Sequence, residues 1–508
     1  MKTTGWIVLA LCSAAGALES PAALLEMKMK TQLLTQTEGQ AESTITGEGV
    51  CWHASWRAGA FLQGARETGD LAYLDAAQRY FDALIDRLHT SPDGHRGWVG
   101  PYIYDESVIG DVHIGDAILV NHMLEFALFA RAELAAELQA PYADAAQVYI
   151  DLAEHLSAKW IDRGTWYENA HYGGYINWDH FLTADNLDEF QRRDDVRNVR
   201  LSLPFNKQQS MAILHLRLHQ LTGDDEHLRK ARLIFQYTRS RMSHFEDVFT
   251  WHYWEPLYPG DVVSAEPPRL AHWVGTHPYR DYQKGEVSEF VEAYHSGLVF
   301  TRADMERLAR TNVRMWNGDG DPPTWVNSDF AANRAAVPEW TPPDPKKHGS
   351  PRSAGTLWRA LADFDLTLAG LAQREATNLD YLRRHSLPER EFDLPLVTYL
   401  NLGCVLPAAV AIGERAFLVS KARAPGHLRV VLTNASGEVE MQTLFEGEAA
   451  GGIDGIEGLT IREWTADVVP GRYRIRWIFT AGDHREQRDY PISVGLDDRP
   501  PAGRADAL

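Results

Sequence analysis

One thirteen-residue stretch of the chain concentrates side chains that transfer protons and side chains that stack on flat ligands. Residues 249–261, FTWHYWEPLYPGD, place His252 and Tyr253 between Trp251 and Trp254. Histidine and tyrosine act as general acids and bases, and aromatic rings stack on flat apolar surfaces such as sugar faces. The stretch therefore predicts a sugar-binding wall that holds a proton-transfer group. The alternative is a buried strand in which both tryptophans belong to the core and His252 caps a helix.

The sequence on either side of this stretch adds groups that suit β-elimination of a uronic acid. LPFNKQQS supplies Asn206, and THPYRDYQKGEVSEFVEAYHSG supplies His277, Arg280, Tyr282 and Glu286. In this reaction Asn, His or Arg binds the sugar carboxylate and stabilises the enolate-like intermediate. A Tyr or His removes the C5 proton, and a Tyr returns a proton to the leaving oxygen.

A second stretch, GEGVCWHASWRAGAF, reads as the start of an amphipathic helix. His53 and Arg57 lie four residues apart on one face, as do Trp52 and Trp56 on another. Arg57 is suited to binding a carboxylate while Trp56 stacks on a sugar ring. The alternative is a capped helix with a buried histidine.

A third stretch, GWVGPYIYDESVIGDVHIGDAILVNHM, combines aromatic and acidic side chains. Trp98 and Tyr104 are candidates for the substrate wall. Asp111, His113 and Asp116 resemble metal ligands in type, but no second cluster completes a set. We therefore expect no metal and no cofactor, and a loop whose polar groups cap the following helix.

Composition excludes several functional classes. The chain has 508 residues and a formal net charge of −20, which argues against nucleic-acid binding because that requires a basic surface. Its 16 Trp and 19 Tyr suit a carbohydrate ligand. No P-loop, dinucleotide fingerprint, zinc-protease helix or Gly-x-Ser-x-Gly elbow is present.

The N-terminus, MKTTGWIVLALCSAAGALES, has the form of a signal peptide. A lysine precedes a short apolar run, and small residues follow it. We expect cleavage after about residue 20 and export to the periplasm or the exterior, with no membrane span. Cys51 and Cys404 then remain, which allows one disulfide at most.

An internal repeat predicts a chain of helical hairpins. Residues 61–88 align with 215–242 around the shared Thr-Gly-Asp of 68–70 and 222–224, and 141–156 is a weaker third copy. Apolar residues at i, i+4 and i+8 indicate amphipathic helices. Further helices are predicted at 49–66, 114–138, 204–221, 285–298, 302–315, 354–373 and 394–414. Between them lie long aromatic loops.

The two ends of the chain differ in periodicity. From about residue 425 the pattern alternates, as in RYRIRWIF, where Arg474 and Arg476 alternate with Ile475 and Trp477. The fold class predicted is mainly α: an (α/α) toroid of helical hairpins over residues 21–420. A small antiparallel β-sandwich follows over 425–496, and a disordered tail over 497–508.

The order LPFN…LTGD, then WHYWE, then EVSEFVEAYHSGLVFTRADMERLART resembles the helical-toroid polysaccharide lyases of the alginate and glucuronan type. It is also similar to the related glucuronidase and C5-epimerase toroids, over roughly residues 45–415. The resemblance implies carboxylate binding by Asn206. A histidine that many relatives carry just before the F-x-x-A-Y helix is absent, and His277 lies a few residues upstream.

The leading hypothesis is a secreted lyase acting on a uronic-acid polysaccharide or oligosaccharide. Asn206 and Arg280 neutralise the carboxylate, His252 or His277 acts as base, and Tyr253 or Tyr282 acts as base or acid. The substrate-binding candidates are His53, Trp56, Arg57, Trp98, Tyr104, Trp254, Arg280 and Glu286.

Two other functions compete with the lyase. The first is a β-glucuronidase-like hydrolase on the same scaffold, which uses two carboxylates. Its candidate acids are Asp105, Glu106, Asp111, Glu255 and Glu286. The second is a non-catalytic glycan-binding protein whose aromatic wall binds the sugar.

Overall fold

The computed structural model describes residues 47–245, 248–272, 274, 280–314, 325–326, 358–377, 391–392, 400–422, 424–451 and 458–496. The predicted signal peptide (1–20) and C-terminal tail (497–508) lie outside these ranges. The described chain forms a helical body followed by C-terminal β-sheets. Its α-helices are α1 (Glu48–Thr68), α2 (Leu71–Ile85), α3 (His113–Leu128), α4 (Ala136–Gln139), α5 (Ala143–Asp162), α6 (Phe205–Thr222), α7 (Asp225–Arg241), α8 (Arg280–His295), α9 (Arg302–Arg314) and α10 (Leu366–Thr377).

Eight of these helices form four hairpins: α1 with α2, α3 with α5, α6 with α7, and α8 with α9. The first helices of the hairpins contact one another in the order α1, α3, α6, α8. α3 and α6 are buried on nearly every side, whereas α2, α5 and α7 expose one face. A helix buried all round belongs inside the fold and an amphipathic one outside. The hairpins thus form an inner row and an outer layer; closure of the row into a toroid stays a prediction.

Arg217 of α6 ties three inner helices together. Its Nε and Nη2 atoms donate to the two carboxylate oxygens of Glu292 on α8, both at 2.8 Å. Its Nη1 donates to the carbonyl of Asn121 on α3 at 2.6 Å and lies 3.8 Å from Glu125. A planar guanidinium can serve several acceptors at once, which suits it to this junction.

The inner helices run parallel, and the connections are of two kinds: short within a hairpin and long between hairpins. Short turns at 69–70, 223–224 and 296–301 join the helices of a hairpin. The long segments 86–112, 163–204 and 242–279 each lead from an outer helix to the next inner helix. All three therefore lie at the N-terminal end of the inner row. Loops of this length in a compact body are usually functional.

Short strands order the long segments. They are β1 (His89–Thr90), β2 (Arg96–Gly97), β3 (Gly100–Tyr102), β4 (Asp105–Gly110), β5 (Trp166–Glu168), β6 (Gly173–Tyr175), β7 (His180–Thr183), β8 (Asn186–Arg192), β9 (Ser243–Phe245), β10 (Val248–Thr250), β11 (Val262–Ser264) and β12 (Arg269–Leu270). β13 (Trp325–Val326) and β14 (Glu391–Phe392) form a separate parallel pair. β3, β4, β7 and β8 form one four-stranded sheet from two different loops.

The C-terminal module consists of two sheets. Its strands are β15 (Leu400–Leu406), β16 (Ala409–Val410), β17 (Arg415–Ala422), β18 (Gly426–Asn434), β19 (Glu440–Ala449), β20 (Leu459–Thr465), β21 (Gly471–Ala481) and β22 (His484–Val494). The orders are β15-β17-β20 and β16-β22-β21-β18-β19. A Cβ on Gly403 of one sheet would meet Trp477 of the other at 3.2 Å, so the sheets pack face to face. Ile475 and Trp477 are buried as the alternation predicts.

The helix predicted at 394–414 is wrong. The described part of that range holds β15 and β16, which pair with β17 and β22. β15 is mostly apolar, and Leu400, Leu402, Cys404, Val405 and Leu406 are buried. Such a run fits a buried strand as well as a buried helix. The β module thus begins before residue 425. The helix predicted at 354–373 is a 3-10 helix (Arg359–Phe364) followed by α10.

The Thr-Gly-Asp repeat has the predicted geometry at both copies. Gly69 and Gly223 end α1 and α6 in left-handed conformations, with φ of 68° and 77°. Asp70 accepts a hydrogen bond from the amide of Ala72 at 2.9 Å, and Asp224 accepts one from Glu226 at 2.8 Å. The same turn therefore ends an inner helix and caps an outer one.

Replacing either capping aspartate by alanine should lower the free energy of unfolding by about 1 kcal/mol, because one amide in the first turn of the outer helix loses its acceptor. The matched control is Asp225→Ala, which removes an exposed first-turn carboxylate that does not cap. Its expected effect is about half or less. Urea denaturation followed by circular dichroism measures both. Equal losses for Asp224→Ala and Asp225→Ala would contradict the capping role.

Candidate active site

The stretch 249–261 lies against the first turn of α6. The amide of Phe205 donates to the carbonyl of Tyr253 at 3.0 Å, which places Tyr253 beside the segment that continues into Asn206. The ring of His272 lies 6.0 Å from the ring of Tyr253, centre to centre. Asn206, Tyr253 and His272 therefore come from three separated segments that meet at the N-terminal end of the inner row.

Asn206 has the strongest local sign of an external ligand. The residue is 8% exposed, and its Oδ1 atom has no hydrogen-bond partner among the described residues. A buried amide without partners is costly, so such a group indicates a bound molecule or water. Its backbone carbonyl accepts from the hydroxyl of Ser210 at 3.1 Å, one turn along α6.

His272 is the member of this group that the sequence analysis missed. It is half-buried, and its ring also lies 5.5 Å from that of Trp254. Nothing in the sequence distinguishes His272 from His277, five residues later in the same loop. His277 lies outside the described residues, so its predicted role stays a prediction.

His252 points away from this group. Its Nδ1 is 2.6 Å from Glu255 Oε1, and the residue is 4% exposed. The other oxygen of Glu255 is 3.6 Å from Arg241 Nε, and Arg241 donates to the hydroxyl of Tyr490 in the β module at 2.9 Å. This placement favours a structural role for His252 at the junction with the β module.

Both tryptophans of the stretch are core residues. Trp254 is fully buried, and its indole donates to the carbonyl of Ser202 at 2.9 Å. Trp251 donates to Glu286 Oε2 at 2.5 Å and packs against Trp358. These positions bury the ring of Trp254 and the carboxylate of Glu286, so neither presents a surface to a sugar. Of the two alternatives for the tryptophans, the structure favours the core.

An aromatic and cationic wall lies next to Asn206. Tyr104 and Trp52 are both 37% exposed. Lys207 Nζ lies 5.9 Å from the Tyr104 ring centre and 3.4 Å from Glu48 Oε1, and the Trp52 indole donates to the same oxygen at 3.2 Å. Lys207 and Trp52 were not among the predicted substrate-binding residues. The exposed rings of Trp52 and Tyr104 suit a sugar face, whereas Lys207 is 8% exposed and paired with Glu48.

The remaining predicted binding residues are dispersed. His53 is exposed on α1. Arg57 is 8% exposed, with its guanidinium 5.6 Å from the Tyr80 ring inside the first hairpin. Trp98 is buried, and its indole donates to the carbonyl of Leu84 at 2.8 Å, which favours packing over binding. The side chains of Trp56, Arg280 and Tyr282 lie outside what the structure describes.

Asp111 and Asp116 belong to a buried ion cluster. Lys159 Nζ lies 2.9 Å from Asp111 Oδ2 and 2.6 Å from Asp116 Oδ2, and Arg163 lies 2.7 Å from Asp111. Burial raises the pKa of Asp116 to about 7, against the opposing effect of Lys159. The pKa of Asp111 is lowered: burial opposes its ionisation, and the two cations outweigh it. His113 stacks on Trp160 with ring centres 3.7 Å apart.

Other carboxylates fall into two groups. Asp105 and Glu106 lie near the surface of β4, where Asp105 accepts from the amide of Ser107. Glu289 lies between α6 and α8 and accepts from the Ser210 hydroxyl at 2.9 Å. Burial raises its pKa well above the ordinary value, and neighbouring Glu286 adds to the rise. A carboxyl with a raised pKa is a possible general acid.

Metal-ligand groups, membrane-spanning helices and a disulfide are all absent from the described ranges. No group of three or more His, Cys, Asp or Glu could hold a metal ion there. No helix among the described residues has the length and apolar character to cross a membrane. Cys51 and Cys404 are both buried and unpaired with each other.

Comparison with known proteins identifies no close relative. Neither a protein-family model nor a curated protein sequence matches the chain. The glycoside hydrolase family 76 mannosidase of Bacteroides thetaiotaomicron is 12% identical, with a TM-score of 0.34, over 64% of this chain and 70% of its own. The cellobiose 2-epimerase of Spirochaeta thermophila is 16% identical, with a TM-score of 0.36, over 72% and 86%. TM-scores this low do not establish a shared fold or activity.

Lys159→Met should lower the free energy of unfolding by about 3–5 kcal/mol, because it leaves buried carboxylates without their cation. Asp116→Asn alone should cost less, and added to Lys159→Met it should recover part of the loss. Denaturant unfolding of both single variants and the double variant measures the coupling. A Lys159→Met protein within about 1 kcal/mol of wild type would rule out this ion cluster as a stabilising element.

Proposed function

We propose that this chain is an exported lyase that cleaves a uronic-acid-containing polysaccharide, such as glucuronan, alginate or ulvan, by β-elimination. The observation that carries the proposal is the meeting of Asn206, Tyr253 and His272 at the loop-bearing end of the inner helices. An amide, a phenol and an imidazole are the groups that this elimination requires. Export rests on the form of residues 1–20.

Each group has a distinct task in the proposed reaction. The Asn206 amide donates to the sugar carboxylate, which lowers the energy of the enolate-like intermediate. Its Oδ1, which has no partner among the described residues, accepts from a sugar hydroxyl. His272 or Tyr253 removes the proton from C5, and the C4–O4 bond then breaks as the C4=C5 double bond forms. The leaving oxygen receives a proton from Tyr253.

The wall formed by Trp52, Tyr104 and Lys207 supports binding of a neighbouring sugar. Aromatic rings exposed beside a cation suit a sugar face and an acidic substituent together. The formal net charge of −20 works against an anionic polymer in general. Because Lys207 is buried and paired with Glu48, the wall contributes mainly its two aromatic rings to binding.

A glycoside hydrolase is the second candidate, and one observation favours it. The raised pKa of Glu289, next to Glu286, suits the proton donor of a hydrolase. Against this, Glu286 is buried in its bond to Trp251, which leaves the second carboxylate without access to water or sugar.

Incubation with glucuronan, alginate, ulvan and glucuronide oligosaccharides separates these functions. We expect growth of ultraviolet absorbance from the new C4=C5 double bond. New reducing ends without absorbance would indicate hydrolysis instead. Binding without either signal would indicate a glycan-binding protein, and both results would overturn the lyase proposal.

Substitution of the three groups tests their roles separately. Tyr253→Phe and His272→Gln should each lower kcat by about 100-fold or more, because a proton-transfer group is lost. Asn206→Ala should lower kcat by a similar factor, because the intermediate loses a donor. The control, Tyr294→Phe, removes a tyrosine hydroxyl from α8 near Phe364 and should keep wild-type rates. Full activity in Tyr253→Phe would remove that residue from the mechanism.

A further inference from the structure

Asp261 ends the stretch 249–261 and is completely buried. Its Oδ1 accepts from the amide of Ser202 at 3.0 Å. Its Oδ2 accepts from the hydroxyl of Ser202 at 2.8 Å, the amide of Leu257 at 2.7 Å and the amide of Tyr258 at 3.2 Å. Both carboxylate oxygens are thus used, and every one of these donors is uncharged.

The bonds of Asp261 reach all three segments of the candidate site. Ser202 lies four residues before Asn206 in the chain. Leu257 lies four residues after Tyr253. The backbone carbonyl of Asp261 accepts from the amide of Ala271 at 2.9 Å, and Ala271 directly precedes His272. Asp261 therefore links the segment before Asn206 to two parts of the loop 242–279, the part that holds Tyr253 and the part that holds His272.

Trp254 fills the space between the same segments. Its indole donates to both the carbonyl and the hydroxyl of Ser202, at 2.9 and 3.1 Å, and its ring lies 5.5 Å from that of His272. The rigid ring and the carboxylate share Ser202 as a partner. Displacing either would shift the segment that leads into Asn206.

The buried negative charge of Asp261 needs a specific explanation. Burial raises the pKa of Asp261 to about 6, against the hydrogen bonds from Ser202, Leu257 and Tyr258. These donors on both oxygens favour the ionised form. No ion pair to Asp261 occurs within the described ranges, and a buried charge without a counter-ion is costly. An asparagine at this position would avoid the cost of a buried charge, but its side-chain NH2 group would lie against hydrogen-bond donors. Only a carboxylate offers acceptors on both sides.

We propose that Asp261 is a positioning residue that holds Asn206, Tyr253 and His272 in the arrangement needed for elimination, an inference that rests on the proposed function. The residue acts through its bonds to Ser202 in one loop and to Leu257, Tyr258 and Ala271 in the other. A displacement of about 1 Å in a reacting group can reduce a rate by about 100-fold, so a residue of this kind affects the chemical step.

The test compares Asp261→Asn with Asp304→Asn. Asp304 is also buried and also accepts from an amide and a hydroxyl, those of Thr301, but it holds the start of an outer helix. We expect Asp261→Asn to lower kcat by at least tenfold with KM changed by less than about threefold. Asp304→Asn should keep kcat. A kcat for Asp261→Asn within twofold of wild type would overturn the inference.

A C5-deuterated substrate distinguishes positioning from partial unfolding. Misplaced groups slow proton removal, so the isotope effect on kcat should rise in Asp261→Asn. A lower fraction of folded protein leaves that isotope effect unchanged, and such a result would overturn the inference. If Asp261→Asn does not fold, Ser202→Ala removes the hydroxyl donor alone and should show the same changes at smaller size.

Hydrogen exchange separates failure of this inference from failure of the proposed function. In Asp261→Asn the amides of Ser202, Leu257, Tyr258 and Ala271 should exchange faster than in wild type, with or without substrate. Wild-type protein that eliminates none of the polymers refutes the lyase proposal, while exchange still decides whether Asp261 orders the loops. Unchanged exchange at these amides refutes the ordering whatever the activity.

Discussion

The hydrogen bonds of Arg217 show the constraint on which the arrangement of the body depends. Its guanidinium serves Glu292 on one neighbouring helix and the Asn121 carbonyl and Glu125 on the other. Polar groups between packed helices must be paired. Ser210, Arg217 and Gln220 of α6 bond to Glu289, Glu292 and Ser296 in the same order along the chain, which indicates parallel helices. Parallel inner helices then place every long connection at the same end. The site follows from this alignment.

The loops at the N-terminal end of the inner helices need hydrogen-bond partners for their backbone, whereas a helix supplies such partners within itself. Loops that pack against a body carry amide and carbonyl groups which must be satisfied. Asp261 meets this need with a carboxylate, and Ser202 and Trp254 add a hydroxyl and an indole. The aromatic rings of the stretch 249–261 therefore mainly pack in the core. The same packing leaves Tyr253 next to the start of α6.

A buried polar junction around Glu255 joins the helical and β modules. Glu255 follows Tyr253 by two residues and lies between His252 and Arg241, and Arg241 reaches Tyr490 of the β module. A buried pair of this kind is costly to break by removing one partner. The short stretch 249–261 therefore contacts the inner helices, the junction and the site at once. This explains why histidine and tyrosine at adjacent positions have different surroundings.

Local chemistry made much of the fold predictable from the sequence. The Thr-Gly-Asp turns need a left-handed glycine and a capping aspartate, so Gly69 and Asp70 specify a helix boundary without tertiary context. Alternation around Trp477 likewise specifies a half-buried strand. The run at 394–414 was misassigned because burial on both faces removes the periodicity that separates helix from strand.

The sequence alone determined the residue types of the site and the region that holds them, including Asn206 and Tyr253. Only the tertiary structure decided which of His252 and His272 lies beside Tyr253. His252 turns to Glu255 and His272 turns to Tyr253 because side-chain direction depends on contacts with distant segments. The tertiary structure likewise places Lys207 beside Tyr104 and Asp261 in contact with the loops of the site. Contacts between residues far apart in the sequence select these partners, and no local sequence pattern predicts them.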